Sequence, residues 1–131
     1  MAVVRTKVIF PYSIQKVWKV VTSIESYAWR SDLVRAERCG ETQFLEYAKG
    51  GAVTVFTTEK IEPYKCWSFR MENRNITGRW TGLFTEEGGQ TQLDCTEEAT
   101  AKRWILRPLV KLYLKRQQKQ FITDLQNALS K

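Results

Sequence analysis

The segment LRPLVKLYLKRQQKQFITDLQNAL, residues 106 to 129, predicts one long amphipathic helix. At about 100° per residue its apolar side chains fall in a single stripe. The stripe consists of Leu106, Val110, Tyr113, Leu114, Phe121, Leu125 and Ala128. Pro108 is tolerated only in the first turn of a helix, so the regular helix should begin between Ile105 and Pro108. A helix of about 30 Å with such a stripe needs a broad apolar surface to pack against.

The same C-terminal region carries the whole charge imbalance of the chain. The formal net charge is +7 at pH 7, and residues 102 to 131 alone contain eight Lys or Arg but one acid, Asp124. Lys111, Lys115 and Lys119 recur every fourth residue and lie roughly opposite the apolar stripe. The aromatic residues of this helix belong to the stripe and not to the basic face, so we expect no nucleic-acid partner. The basic face is either a solvated helix surface or a candidate contact with an anionic membrane.

The N-terminal part of the chain predicts one strand followed by helices. VVRTKVIF, residues 3 to 10, alternates apolar and charged side chains as a strand with one wet face does. Ser13 offers an N-cap, and Ile14, Val17, Trp18 and Val21 have helical spacing, which predicts a helix over residues 13 to 22. IESYAW, residues 24 to 29, predicts a second short helical turn.

Residues 33 to 100 predict a meander of six antiparallel strands, because β-rich segments alternate there with short turn signals. Strand parity predicts which side chains face the interior in three of these strands. The inward set is Trp67, Phe69 and Met71, then Ile76, Gly78, Trp80, Gly82 and Phe84, then Leu93, Cys95, Glu97 and Ala99. The inward face of residues 42 to 60 stays ambiguous, since Val53 and Val55 compete with Phe56. Glycines beside an inward tryptophan indicate a bend or a close approach of backbone or ligand.

These elements predict an α+β fold in a single domain, residues 1 to 131. The expected order is β-α-α-β6-α, with two short N-terminal helices and one long C-terminal helix packed across a curved, seven-stranded antiparallel sheet. Size supports one core, because a chain of 131 residues buries about two thirds of its unfolded surface. The sequence contains no repeat, linker or low-complexity tract.

Four segments, in this order, resemble the START-like superfamily. They are FPYSIQKVWKVVTSIESYAWRSDL (10 to 33), GRWTGLFTE (78 to 86), LDCTEEAT (93 to 100) and the helix at 106 to 129. This superfamily is also called SRPBCC, birch-pollen-allergen-like or helix-grip, and the chain is most similar to its bacterial polyketide cyclase/dehydrase and lipid transport branch. The resemblance implies a cavity between sheet and final helix, which in relatives holds lipids, sterols, polyketides or other apolar molecules. Relatives include carriers, cyclases, hydrolases and interaction proteins, so function has to be argued from the cavity.

The predicted cavity residues come from five parts of the chain. They are Trp29, Trp67, Phe69, Met71, Trp80, Phe84, Cys95, Glu97, Tyr113 and Phe121. Most of these must also serve as core, and we expect roughly half to touch ligand-accessible space, as in a mostly apolar site.

Catalytic candidates are few because the chain has no histidine. That composition removes Ser-His and Cys-His pairs, and no clustered metal ligands or phosphate loop are present, so we expect no metal and no cofactor. Glu97 is the candidate acid or base if burial raises its pKa; the alternative is that it reaches water or pairs with Arg103 or Lys102. Arg30 is a candidate for holding a ligand carboxylate or carbonyl; the alternative is local pairing with Asp32.

The sequence favours a cytoplasmic domain that binds, or as a carrier transports, an apolar or amphipathic small molecule such as a lipid or polyketide. Two alternatives are a cyclase/dehydrase-like enzyme that uses Glu97 or Arg30, and an interaction module whose own side chains fill the cavity. The cytoplasmic prediction rests on Cys39, Cys66 and Cys95, read as buried free thiols, and on the lack of a signal-like or membrane-spanning stretch.

Overall fold

The structure is a computed structural model that describes residues 1 to 131. Its elements are β1 (Ala2–Phe10), α1 (Ile14–Val21), β2 (Leu33–Arg38), β3 (Gln43–Ala48), β4 (Val53–Glu62), β5 (Cys66–Glu72), β6 (Ile76–Glu87), β7 (Gln90–Ala101), a 3-10 turn (Trp104–Leu106) and α2 (Arg107–Leu129). All strands form one antiparallel sheet in the order β1-β7-β6-β5-β4-β3-β2. The predicted α+β class, the meander and the long C-terminal helix are confirmed.

The predicted second helix at residues 24 to 29 is wrong, since this segment contains only turns and bends. The first helix forms as expected, and the Ser13 hydroxyl accepts a hydrogen bond from the Lys16 N–H (3.2 Å). After α1, which contacts β6 and β7, the chain must reach β2 at the opposite edge of the sheet. From β6 that is four strand spacings, or about 19 Å, and an extended segment covers this distance more readily than a helical turn.

Helix α2 covers only the part of the inner sheet face that β1 and β7 form. It contacts β1, β7 and α1, and its buried residues include Val110, Leu114, Leu125 and Leu129. The inner face of β3 to β5 is therefore left partly uncovered by the helix. The predicted apolar stripe is wrong at Leu106, which is 37% exposed and lies in the 3-10 turn before α2, whereas Val110 is buried. Tyr113 is 45% exposed at the edge of the sheet-facing side.

Strand parity predicts the interior correctly where the pattern is unambiguous. Trp67, Phe69, Trp80 and Leu93 are buried, and the ambiguous stretch resolves in favour of Phe56, since Val53 and Val55 are exposed. All three cysteines are free, but only Cys95 is buried; Cys39 is exposed beyond the end of β2. The expectation of three buried thiols is therefore wrong.

The two glycines of β6 permit close approaches. A Cβ atom at Gly82 would overlap the indole of Trp80, two residues earlier on the same strand. A Cβ atom at Gly78 would collide with the backbone oxygen of Glu98 and lie 2.9 Å from the Ala99 Cβ atom on β7. The absence of side chains here lets the Trp80 ring lie flat along its own strand and keeps β6 close to β7.

Candidate functional site

A cavity of about 160 Å³ lies between the inner face of the sheet, α2 and the segment that links α1 to β2. Most of its lining is hydrophobic, and it contains a small polar group at one side. The predicted residues that line it are Trp29, Arg30, Trp67, Phe69, Met71, Trp80, Glu97, Tyr113 and Phe121. Four elements and one loop thus bring these side chains together from distant parts of the sequence.

Two predicted cavity residues do not reach the cavity. Phe84 is 3% exposed and packs edge-on against Trp18 of α1, with ring centroids 5.0 Å apart. Cys95 is fully buried, and burial raises the pKa of its thiol to about 12. Both share the inward strand face with true lining residues, but α1 and α2 cover that part of the sheet, so they belong to the core.

The apolar wall is a chain of aromatic contacts. Phe69 stacks on Trp80 with a centroid distance of 5.1 Å and also meets Trp67 at 4.9 Å. Phe121 of α2 touches Trp80 at 6.1 Å and Trp29 at 5.7 Å. These edge-on and offset pairs add stabilisation beyond their buried area, so the wall presents fixed ring faces to the cavity.

The sequence missed two further aromatic residues of this wall. Phe44 and Phe56 both line the cavity, are directly paired across β3 and β4, and stack with centroids 4.7 Å apart. The turn at Lys49 to Gly51 sets the register that pairs Phe44 with Phe56, so the sequence contained a sign of this contact. The alternation of Val53 and Val55 favoured the opposite face of the strand, and the inward position of Phe56 was therefore left undecided.

The polar group of the cavity is centred on Arg30. Its Nε and Nη2 donate to the two carboxylate oxygens of Asp32, both at 3.2 Å, and its Nη1 donates to Glu46 Oε2 at 3.2 Å. The predicted alternative of local pairing with Asp32 is thus present and extends to Glu46. Burial raises the pKa of the Glu46 carboxyl, against the opposing effect of the Arg30 guanidinium. Sequence reasoning missed Glu46, because its strand lies in the ambiguous stretch.

Glu97 lies on the same cavity surface without a partner. It pairs with Trp80 of β6 and Val4 of β1 in the sheet register, and no side chain forms a hydrogen bond or ion pair with its carboxyl. Burial raises the pKa of Glu97 to about 7, with Arg30 opposing and Glu46 reinforcing the change. The alternative of pairing with Lys102 is not seen, since Lys102 contacts Glu72 at 3.0 Å.

Two more polar groups border the cavity. The Trp29 Nε1 atom is buried and has no hydrogen-bond partner. A buried N–H donor without a partner lowers the stability of the folded protein. The Tyr113 hydroxyl accepts a hydrogen bond from Gln117 Nε2 at 3.2 Å, and burial raises its pKa. The cavity therefore offers one unpaired carboxyl within an aromatic wall, and one of the lining indoles keeps a buried, unpaired N–H.

Hydrogen bonds fix the elements that carry these groups. The buried Gln118 of α2 donates to the Val4 backbone oxygen (2.9 Å) and accepts from the Thr6 hydroxyl (2.6 Å). Asp124 of α2 accepts from the Ser31 N–H at 2.9 Å. These contacts hold α2 against β1 and hold the loop that carries Trp29 and Arg30.

The basic face of α2 lies outside the cavity. Lys111, Lys115 and Lys119 are exposed on α2, as predicted from helical spacing. No group of three or more His, Cys, Asp or Glu side chains has a metal-binding arrangement. None of the helices combines the length and apolar character needed to cross a bilayer.

Solved structures share this fold at low sequence identity. A START superfamily protein from Mycobacterium smegmatis superimposes with a TM-score of 0.91 at 12% identity, over 99% of this chain and 98% of that chain. A conserved protein from Geobacillus kaustophilus gives a TM-score of 0.83 at 13% identity, over 96% and 93%. The Zhui aromatase/cyclase from Streptomyces sp. R1128 gives 0.80 at 14% identity, over 98% and 93%. Identities this low establish the fold alone.

The sequence itself matches a family model over nearly its full length. A comparison with curated proteins found no match. The model for polyketide cyclase/dehydrase and lipid transport proteins matches residues 1 to 130, in agreement with the order of elements, the gripped helix and the cavity described above. The chain therefore belongs to the polyketide cyclase/dehydrase and lipid transport family, within the START-like helix-grip fold.

Proposed function

We propose that this protein binds an amphipathic small molecule in the cavity between the sheet and α2. The observation that carries the proposal is the unpaired Glu97 carboxyl within an aromatic wall. An apolar ring or chain would contact Trp67, Phe69 and Trp80, while a hydroxyl or similar polar group would meet Glu97. A mostly apolar pocket with a few placed polar groups is typical of small-molecule sites.

The volume of the cavity limits what fits without rearrangement. At about 160 Å³ it is close to an apolar cavity of about 150 Å³ that accommodates a benzene-sized molecule. The side chains therefore do not fill the interior completely, which argues against the interaction module with a filled cavity. A lipid chain or a fused polycyclic ligand would require α2 or the loop before β2 to move outward.

The ligand class draws support from the family. Its description joins polyketide cyclases and dehydrases with lipid transport, and one structural neighbour is an aromatase/cyclase. Hydroxylated ring compounds and single-chain lipids both combine an apolar body with a polar end. Binding is the activity that both have in common, and transport is one use of it. The cytoplasmic location remains a prediction, which rests on the three unpaired cysteines.

Two small probes test the proposed site. 2-Naphthol and naphthalene have the same rings, but only 2-naphthol can donate a hydrogen bond to Glu97. Above pH 7, where Glu97 is ionised, calorimetric titration should show 2-naphthol binding about tenfold more tightly, which is the value of one hydrogen bond to a charged group. Native mass spectrometry of the purified protein would show any ligand that copurifies.

Glu97→Gln should abolish the preference for 2-naphthol. The matched control is Glu98→Gln, because Glu98 is the next residue of β7 and points away from the cavity toward Arg79 (3.4 Å). The control should retain the preference. Failure of both probes to bind, together with a protein free of copurified ligand, would overturn the binding proposal.

A second candidate function is catalysis of the cyclase/dehydrase kind. A carboxyl whose pKa is raised to about 7 is present in both protonation states near neutral pH, as a general acid-base group requires. Glu97 would take a proton from a carbon between two carbonyl groups, while Arg30 would polarise a carbonyl oxygen. If a poly-carbonyl substrate is converted, Glu97→Gln should abolish turnover and preserve binding. Unchanged turnover in that variant would remove this function.

A further inference from the structure

A group of large apolar side chains is exposed where β7 passes into α2. This apolar patch consists of Trp104, Ile105, Leu106, Leu109, Leu112 and Tyr113. Trp104 is 76% exposed and Ile105 is 66% exposed. Single exposed apolar residues are ordinary, but a contiguous set that includes an exposed tryptophan marks an interaction surface.

The patch has helical order and continues one face of α2. Leu109, Leu112 and Tyr113 are spaced i, i+3 and i+4, so they lie side by side on the helix surface, and Arg116 follows at i+7. Trp104 and Ile105 precede them in the 3-10 turn. The helix thus presents a second apolar face at its beginning, in addition to the face that packs on the sheet.

Positive charge surrounds this patch without any opposing acid in the segment. The cations are Lys102, Arg103, Arg107, Lys111, Lys115 and Arg116, all exposed. Residues 102 to 123 contain no Asp or Glu. Of the six cations, only Lys102 forms a salt bridge, with Glu72 of β5. Apolar side chains bordered by unpaired cations fit the surface of a bilayer, which has an apolar acyl region beneath negatively charged headgroups.

We propose that the apolar patch docks the protein peripherally on an anionic lipid bilayer. Trp104 and Ile105 enter the interfacial region with Leu109 and Leu112, and the surrounding Lys and Arg side chains contact lipid phosphates. Docking of this kind requires no spanning helix, because the apolar side chains enter only the boundary between headgroups and acyl chains. The proposal assigns the exposed basic residues of α2 a partner and adds an apolar anchor to them.

The charge distribution favours a lipid surface over a second copy of this chain. In a two-fold dimer through this patch, each cation would face the same cluster on the other copy, and like charges repel across an interface. A nucleic acid would satisfy the cations but would leave the exposed aliphatic side chains against solvated phosphates. A bilayer satisfies both sets of side chains at once.

The patch is continuous with the cavity. Tyr113 belongs to both surfaces, and Gln117, one turn further along α2, also lines the cavity. Docking would therefore place this side of the cavity against the bilayer, where amphipathic molecules are concentrated. The docking itself does not rest on the proposed ligand binding, because it depends only on the outer face of the protein.

Vesicle flotation tests the proposal with the full chain. Vesicles of phosphatidylcholine alone and vesicles that also contain phosphatidylglycerol separate apolar insertion from charge attraction. Wild-type protein should float with the anionic vesicles and lose binding as salt is raised. Trp104→Ser combined with Ile105→Ser should reduce partitioning at least about tenfold, because two large apolar side chains no longer leave water.

Tryptophan fluorescence reports insertion directly. Trp18, Trp67 and Trp80 are buried and Trp29 is half-buried, so lipids with brominated acyl chains should quench Trp104 more than any other tryptophan, and Trp104→Phe should remove most of the quenching. Leu109→Ser with Leu112→Ser keeps this reporter and should weaken both flotation and quenching. The matched control is Ile9→Ser with Ile61→Ser, which removes apolar side chains of similar exposure, 59% and 51%, from the sheet.

Three results would overturn the docking proposal. They are absence of binding to anionic vesicles, equal loss of binding in the control, and binding without quenching of Trp104. Sedimentation as a dimer that dissociates on Leu109→Ser and Leu112→Ser, without vesicle binding, would assign the patch to self-association instead. The naphthol titration is read without vesicles, so the failure of one proposal leaves the other measurable.

Discussion

Asp124 in the last third of the chain fastens Ser31 beside the cavity. One carboxylate oxygen accepts hydrogen bonds from both the backbone N–H (2.9 Å) and the hydroxyl (3.0 Å) of Ser31. Its other oxygen accepts from Gln120 Nε2 at 2.9 Å. Because Ser31 directly follows Trp29 and Arg30, this contact fixes the loop that supplies two cavity residues, and it ties that loop to α2.

Asp124→Ala should lower the free energy of unfolding by about 2 to 3 kcal/mol, because the part-buried hydrogen bonds that Ser31 donates to a charged acceptor are lost. Urea denaturation at neutral pH measures the change. The control is Asp94→Asn, which removes a carboxylate from the Arg5 ion pair (2.8 Å) on the sheet surface; such pairs contribute under about 1 kcal/mol. Equal effects of the two variants would contradict a special role of Asp124.

The pH dependence of stability should report Glu97. Its pKa in the folded protein is about 7, above the ordinary value of 4.5, so between these values the folded protein keeps a proton that the unfolded chain releases. Stability from this group is therefore fully present below pH 4.5 and is lost as pH rises through 7. The shift corresponds to at most about 3 kcal/mol.

Glu97→Gln removes this titration. Relative to wild type, the variant should gain stability between pH 5 and pH 8, as measured by thermal or urea unfolding across that range. Glu98→Gln serves as the control, and its pH profile should run parallel to wild type in this window. Parallel profiles for Glu97→Gln would show that the carboxyl has an ordinary pKa.

Substitutions at the two β6 glycines should have different effects, because Gly78 lies against the backbone of β7 and Gly82 lies against the Trp80 ring. Gly78→Ala presses against backbone atoms of β7, and we expect a loss of about 1 to 3 kcal/mol. Gly82→Ala forces the Trp80 indole off its strand and into the cavity, so it should also weaken probe binding. Gly50→Ala is the control, since a Cβ atom there meets nothing within 4 Å.

Denaturation measures the stability of the three glycine variants, and calorimetric titration of 2-naphthol measures their binding. Unchanged binding to Gly82→Ala would show that the position of Trp80 does not limit the site.

The thiols should differ strongly in reactivity. Only a thiolate is nucleophilic, and burial raises the pKa of Cys95 to about 12, so Cys95 should resist iodoacetamide until the protein unfolds. Cys39 is exposed and should be alkylated in the native state. Peptide mass spectrometry before and after denaturation measures both. Early alkylation of Cys95 would mean that β7 opens locally under native conditions.

The periodicity of apolar residues predicted the strands and the long helix correctly, because these short-range patterns correspond to buried faces in the structure. The alternation of Trp67, Phe69 and Met71 and the stripe through Val110 and Leu125 each reflect one buried face, and burial determined both. The glycines flanking Trp80 indicated either a bend or a close approach, and the structure shows close approaches at both, although the sequence could not show that Trp80 itself is the neighbour of Gly82.

The parts of the site that were missed depend on long-range placement. Glu46 faces the cavity because the pairing of β3 with β4 places Phe44 and Glu46 on the inner face of the sheet. Nothing in residues 43 to 48 alone shows which face is buried. Phe84 and Glu97 have the same parity, but only the position of α1 decides that one is core and the other lines the cavity. Exposure of Trp104 depends on where α2 meets the sheet, which helical spacing does not encode.

The strand order also affects how the chain emerges during synthesis. Strands β2 to β7 each pair with a neighbour in sequence, whereas β1 pairs only with β7, roughly 80 or more residues away. Of the strands in this sheet, β1 thus leaves the ribosome before the others and is the last to find its partner, because closure of so long a loop is slow. Arg5 and Lys7 alternate with the apolar residues of β1, and their charges discourage the waiting strand from pairing with other nascent chains.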